Sequence, residues 1–307
     1  MTITLCGENT YAALQALATL RAAFVAKHGA NAIERLEGAD TTLAQLREQV
    51  SALSLFAPQR LIILKNPSAQ KELFTELGDL AAEVGEGTTL VIVDGVLDKR
   101  TKTYKTLKAK TDFRDYAPLS DRELQQWVAA AVQERSGTIT PQATAQLIDR
   151  VGNDQWQLTS EIDKLVALDK TVSADNVELL TTPNLEVSAF ALLDAVMAGK
   201  HADAARLLTQ MKMRSDPYEF FGLLVWQVHA LALVAFAPGG LSSTELSQQT
   251  GLKPFVLQKS QQLVRRLGQA KIKAVVEQIA QLDMQLKSTG VEPWLLVEQA
   301  LGKVARV

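Results

Sequence analysis

The residues best suited to chemistry sit at the ends of apolar segments. After the run Ile3 to Cys6 comes Gly7-Glu8-Asn9-Thr10-Tyr11-Ala12-Ala13. A strand leading through a tight turn into a helix is where a parallel α/β sheet commonly holds nucleotide phosphates. The P-loop version, GxxxxGK[ST], uses glycines for close backbone approach, a lysine for the phosphates and a hydroxyl for magnesium. Here Gly7 is present, but Ala12 and Ala13 stand where Gly-Lys would be, and Glu8 would repel a phosphate. A second fragment of such machinery is Leu90-Val91-Ile92-Val93-Asp94, an apolar strand ending in a carboxylate where a P-loop ATPase binds magnesium. The next residue is Gly95, with no carboxylate to activate water, and Asp-Gly is equally a strand-end turn. Gly7 and Asp94 therefore read as a degenerate nucleotide site, and neither catalysis nor a cofactor is expected.

Other chemistry is sparse. His28, His201 and His229 are scattered, with no ligand spacing among themselves or to Cys6, so no metal site is expected. Cys6 is the single cysteine, which rules out an internal disulfide. Lys99, Arg100, Lys102, Lys105, Lys108, Lys110 and Arg114 outnumber Asp98 and Asp112 in one segment. A solvated helix face is the ordinary meaning of such a run; contact with phosphates or with an acidic neighbour is the other. The net charge is only -2, so any nucleic-acid contact must come from a local patch of this kind.

The elements that would position these residues fall into three regions. The first alternates strand and helix. Strands are expected over 3–6, 32–36, 60–64, 90–93 and 112–116, with helices over 10–26, 42–52, 73–84 and 101–109. That alternation implies a parallel sheet. After Pro118 the pattern is helical only. Ser120 and Glu123 form a capping box, Thr140-Pro141 opens a second helix, and 155–168 is a third, ending near Thr182-Pro183. The rest is helical too, with Asp216-Pro217-Tyr218-Glu219 and Ser242 with Glu245 as starts, and an amphipathic stretch over 263–286. Domains are thus expected at 1–118, 119–183 and 184–307. At 307 residues and 47% hydrophobic, each can bury a core. The first residues carry no basic flank or long apolar run, so no signal peptide is expected. The apolar stretch 220–237 has no basic anchors and reads as a core helix rather than a membrane span.

The order of several segments resembles the delta subunit of bacterial DNA polymerase III, a clamp-loader protein with an AAA+-like fold. The segments are Leu5-Cys6-Gly7-Glu8, Ser54-Leu55-Phe56-Ala57-Pro58-Gln59-Arg60-Leu61, and Leu90 to Asp94 with Asp98-Lys99-Arg100, Lys102, Tyr104, Lys105 and Leu107 beyond. Leu192-Leu193-Asp194-Ala195-Val196 and Lys253-Pro254-Phe255-Val256 complete the series. The resemblance implies an AAA+-like α/β domain with a parallel sheet, a small three-helix lid domain and an all-α collar. It implies an ATPase site that has been lost, in agreement with the broken P-loop. It further implies a collar that joins gamma or tau and delta-prime loader subunits, and a sheet domain that binds and opens the ring-shaped beta sliding clamp for loading onto primed DNA in the cytoplasm. The clamp contact maps to Leu55 and Phe56, with Leu53 beside them. Lys99, Arg100, Lys102 and Lys105 are candidate contacts to DNA or a neighbouring subunit.

Two other readings compete. An active AAA+ ATPase would need the lysine and hydroxyl that are missing. A helix-turn-helix regulator could be drawn from 245–252 and 255–263, but Phe255, Val256 and Leu257 occupy the place where a recognition helix needs side chains for base edges.

Overall fold

The computed structural model describes residues 1–51, 59–237, 243–252 and 254–306. Leu53, Leu55 and Phe56 lie outside the described residues, as do Ser242 and Lys253. The chain divides into two units, Met1–Ser120 and Asp121–Val307.

In the first unit the strands are β1 (Thr2–Cys6), β2 (Ile33–Glu37), β3 (Arg60–Lys65), β4 (Thr88–Val93) and β5 (Asp112–Asp115). They form one sheet in the order β2-β3-β4-β1-β5, every pairing parallel. The helices are α1 (Thr10–His28), α2 (Leu43–Ser51), α3 (Lys71–Leu80) and α4 (Lys102–Lys110). Side chains alternate across a strand, so a sheet buried on both faces must be apolar at successive positions. β3 and β4 meet that demand. Leu61, Ile63, Val91 and Val93 join Ala13 and Leu17 of α1 in one core. Ile62, Leu64, Leu90 and Ile92 join Leu46, Leu73, Leu77 and Leu107 of α2, α3 and α4 in the other. Local chemistry fixes the helix starts. Thr42 and Gln45 exchange side-chain and backbone bonds ahead of α2, and Thr101 accepts from the Tyr104 amide at the start of α4.

In the second unit the helices are α5 (Asp121–Glu134), α6 (Pro141–Val151), α7 (Gln155–Leu168), α8 (Ala174–Leu180), α9 (Leu185–Met197), α10 (His201–Lys212), α11 (Pro217–Phe236), α12 (Ser243–Thr250), α13 (Pro254–Leu267), α14 (Gln269–Ser288) and α15 (Pro293–Val304). Besides the three helices expected before residue 183, this part carries α8 and a short parallel ribbon, β6 (Thr138–Ile139) with β7 (Thr171–Val172). Arg150 ties α8 down through Glu178, the Thr181 hydroxyl and the Thr181 carbonyl. Caps at Thr140, Asp154, Asn184 and Asp216 each accept from an amide in the helix that follows. The amphipathic stretch 263–286 is interrupted. Gly268, at φ +81°, ends α13 and α14 starts anew, because its lack of Cβ permits the left-handed turn. Leu193, Phe220, Leu224, Leu263, Ile272 and Val297 meet in the core of the helical bundle.

Candidate functional site

A ligand of a parallel α/β sheet would bind beyond the carboxyl ends of the strands, where β1 hands over to α1. Here backbone fills that place. Gly7 has φ +123°, and a Cβ on it would lie 2.3 Å from the Tyr116 carbonyl oxygen. Its amide donates to the Gly95 carbonyl at 3.0 Å, and the Asn9 amide donates to the Tyr116 carbonyl at 2.9 Å. The Asn9 side chain turns inward to cap α1, accepting from the Ala12 amide. The Gly7, Asn9, Thr10 and Ala12 amides are thus spent on the protein itself.

Asp94 is likewise committed. One carboxylate oxygen accepts from the Ser68 amide at 2.9 Å; the other accepts from the Ser68 hydroxyl and the Gly95 amide, both at 2.8 Å. Ser68 sits in a short 3-10 turn, Pro67–Ala69, that follows β3. Asn66, with φ 51°, makes the turn, and its amide donates to the Val93 carbonyl. Asp94 therefore pins β3 to β4. The residues around it are acidic as well. Burial, together with the charge of Asp115, raises the Glu8 carboxyl above its ordinary range. Burial first, then Asp115 and Asp94, push the Cys6 thiol up to about 12. A polyphosphate does not fit this lining of carboxylates, where the Gly7, Asn9, Thr10 and Ala12 amides already have acceptors.

The basic segment folds as α4 with its flanks, and most of its charge is paired. Lys99 lies 3.4 Å from Asp115, Arg100 2.9 Å from Asp98, and Arg114 2.6 Å from Asp112. Lys102 and Lys110 both reach Asp79 of α3, at 3.2 and 3.5 Å. Bonding to Arg100 holds the Asp98 carboxyl down to about 2, and bonding to Lys102 lowers that of Asp79. Lys105 and Lys108 remain as exposed cations with no ion pair among the described residues. The arrangement offers a narrow cationic ridge.

Sequence reasoning located Gly7 and Asp94 but missed Ser68, Tyr116 and Asp79. Each lies far along the chain from its partner, and no spacing rule links them. Of the apolar residues in the helical unit, Leu263 is buried and Trp294 stacks on Phe220 at 5.4 Å, whereas Leu295 is exposed. Leu257 and Ser260 of α13 are buried, and Val256 is half-buried.

Comparison with known proteins agrees with this architecture. The family model for the delta subunit of DNA polymerase III matches residues 4–114, and the model for the C-terminal domain of that same family matches 186–304. The DNA polymerase III subunit delta of Bacillus subtilis is 21% identical over 207 residues, a match that covers 66% of this chain and 60% of that protein. The solved Bacillus subtilis DNA clamp loader delta protein superposes with a TM-score of 0.76 at 20% identity, covering 100% of this chain and 95% of that one. The fold is therefore that of a clamp loader delta protein, an AAA+-like α/β domain followed by helices. With both halves of the chain matched in order, this protein is a member of the DNA polymerase III delta-subunit family.

Proposed function

We propose that this chain is a non-catalytic clamp-loader subunit that binds the beta sliding clamp and opens it for loading onto primed DNA. The observation that carries the proposal is the family membership over both the sheet domain and the C-terminal helices. In this reading residues 1–118 engage the clamp through Leu55 and Phe56, with Leu53 beside them. Residues 119–183 act as a lid, and 184–307 as a collar that joins gamma or tau and delta-prime subunits in the cytoplasm. Lys105, with Lys99, Arg100 and Lys102 behind it, faces DNA or a neighbour in the assembled complex.

Two features support a silent ATPase site. The carboxylate of Asp94 is engaged by Ser68 and Gly95, and the Gly7 turn is closed by Tyr116. These same contacts weigh against an active ATPase. The burial of Leu257 in α13 weighs against a helix-turn-helix regulator.

The test is capture of purified beta clamp by the purified full chain, without nucleotide. A complex of the two chains supports the proposal. No complex at micromolar concentrations, or one that forms only with ATP, overturns it.

A further inference from the structure

Helix α2 carries the chain back to the edge of the sheet where the strands begin, the edge opposite Gly7 and Asp94. A helix leaves its last carbonyls without partners of its own. At the end of α2 two of them are taken from outside the helix. The Val50 carbonyl accepts from the Gly85 amide at 3.3 Å, and the Gln49 carbonyl accepts from Nη1 of Arg60 at 3.3 Å. Arg60 is the first residue of β3. Its Nη2 donates to Oε1 of Gln49 at 3.1 Å and to Oε2 of Glu34 on β2 at 2.9 Å. One guanidinium thus ties the end of α2 to the start of β3 and to the edge strand β2.

The chemistry suits an arginine in particular. Its planar fork presents several donors in a fixed geometry, whereas a lysine offers one nitrogen on a flexible stem. A cation is also favoured at a helix C-terminus, where the macrodipole is negative. The start of β3 is held a second time by the Arg60 amide, which donates to the Gly87 carbonyl at 2.8 Å. The Arg60 side chain is only 17% exposed. Its hydrogen-bonding capacity is therefore spent inside the unit rather than offered to a partner.

The connection that leaves Ser51 and returns at Arg60 has eight residues, 52–59, and carries Leu55 and Phe56. The link from Gln49 to Arg60 closes this connection at its base. A connection with fixed ends has fewer conformations to lose when a partner takes hold of it, so it binds at a lower entropic cost. We propose that Arg60, acting through Gln49, is a positioning residue for clamp binding. It sets where the connection starts and ends without touching the clamp. The proposal rests on the reading that Leu55 and Phe56 meet the clamp.

Surface plasmon resonance of the full chain against immobilised beta clamp, with melts on the same samples, tests it. Arg60→Lys keeps a cation for Glu34 and for the helix end but loses the fork. It should leave the melting temperature close to that of the unaltered chain and weaken clamp binding about tenfold. Gln49→Ala removes an acceptor of Arg60 from the other side and should weaken binding too. Coupling separates positioning from mere support. In a chain that carries Leu55→Ala, Arg60→Lys should cost less affinity than in the unaltered chain, because part of the contact it serves is already gone. A tie that only supports the fold would cost the same in both. Clamp affinity untouched by Arg60→Lys, an equal cost in the Leu55→Ala chain, or a melting temperature that falls in step with affinity would overturn the proposal. The two failures are distinguishable. An unaltered chain that does not bind the clamp removes the clamp-binding reading and this proposal with it, whereas clamp binding indifferent to Arg60→Lys removes this proposal alone.

Discussion

The carboxylate of Asp94 is held by Ser68 through both its backbone amide and its side-chain hydroxyl, at 2.9 and 2.8 Å. A group placed where a nucleotide enzyme would coordinate magnesium serves here as a clasp between two adjacent strands. Asp94 is buried, so loss of these bonds leaves donors unsatisfied. Asp94→Ala should lower stability by about 2–3 kcal/mol, and Ser68→Ala by about 1 kcal/mol, in denaturant unfolding. Magnesium with ATP should leave the melting temperature of the unaltered chain where it was, since a ligand that binds only the folded state would raise it. A rise would return Asp94 to a ligand role.

Cys6 gives a pH signature. Its folded thiol is pushed up to about 12 from 9.0 by burial and the nearby carboxylates. The unfolded chain releases that proton above about pH 9, whereas the folded chain keeps it until about 12. Stability contributed by the neutral thiol is therefore full below 9 and lost as pH climbs from 9 to 12. Cys6→Ala should flatten this alkaline slope, and a disulfide reagent at pH 8 should label Cys6 only after unfolding. Rapid labelling of the folded chain would contradict the burial.

Among the basic residues, pairing decides which ones are available to a polyanion. Lys105→Ala with Lys108→Ala should reduce the salt dependence of DNA binding by the assembled complex by about two counterions. Lys102→Ala should do less, because Asp79 already holds that lysine at 3.2 Å. Equal effects, or none, would remove the ridge on α4 from the DNA path.

The sequence disclosed the elements better than their contacts. Unbroken apolar runs at Leu61–Leu64 and Leu90–Val93 announced strands buried on both faces, and Thr140-Pro141 and Asp216-Pro217 marked helix starts that the structure bears out. α8 escaped notice because seven residues give too few periods to register. The break at Gly268 was passed over because a single glycine inside an apolar helical pattern is tolerated and need not end the helix. Gly7 and Asp94 were recognisable by their motif positions, but what neutralises them was not. Ser68 lies 26 residues from Asp94, and Tyr116 reaches Gly7 only because β5 pairs with β1. Leu55 and Phe56 were chosen by resemblance alone and lie outside the described residues.

Binding to the beta clamp is the central claim, and Leu55→Ala with Phe56→Ala tests it most directly. An aliphatic and an aromatic side chain that fill a dry pocket behave as an interface hot spot, costing about 2–4 kcal/mol when truncated, or roughly 30- to 1000-fold in affinity. Surface plasmon resonance against immobilised clamp, with melts on the same samples, should show binding nearly abolished and the melting temperature unchanged. Unaltered clamp affinity, or a melting temperature that falls in step with the binding loss, would contradict the account.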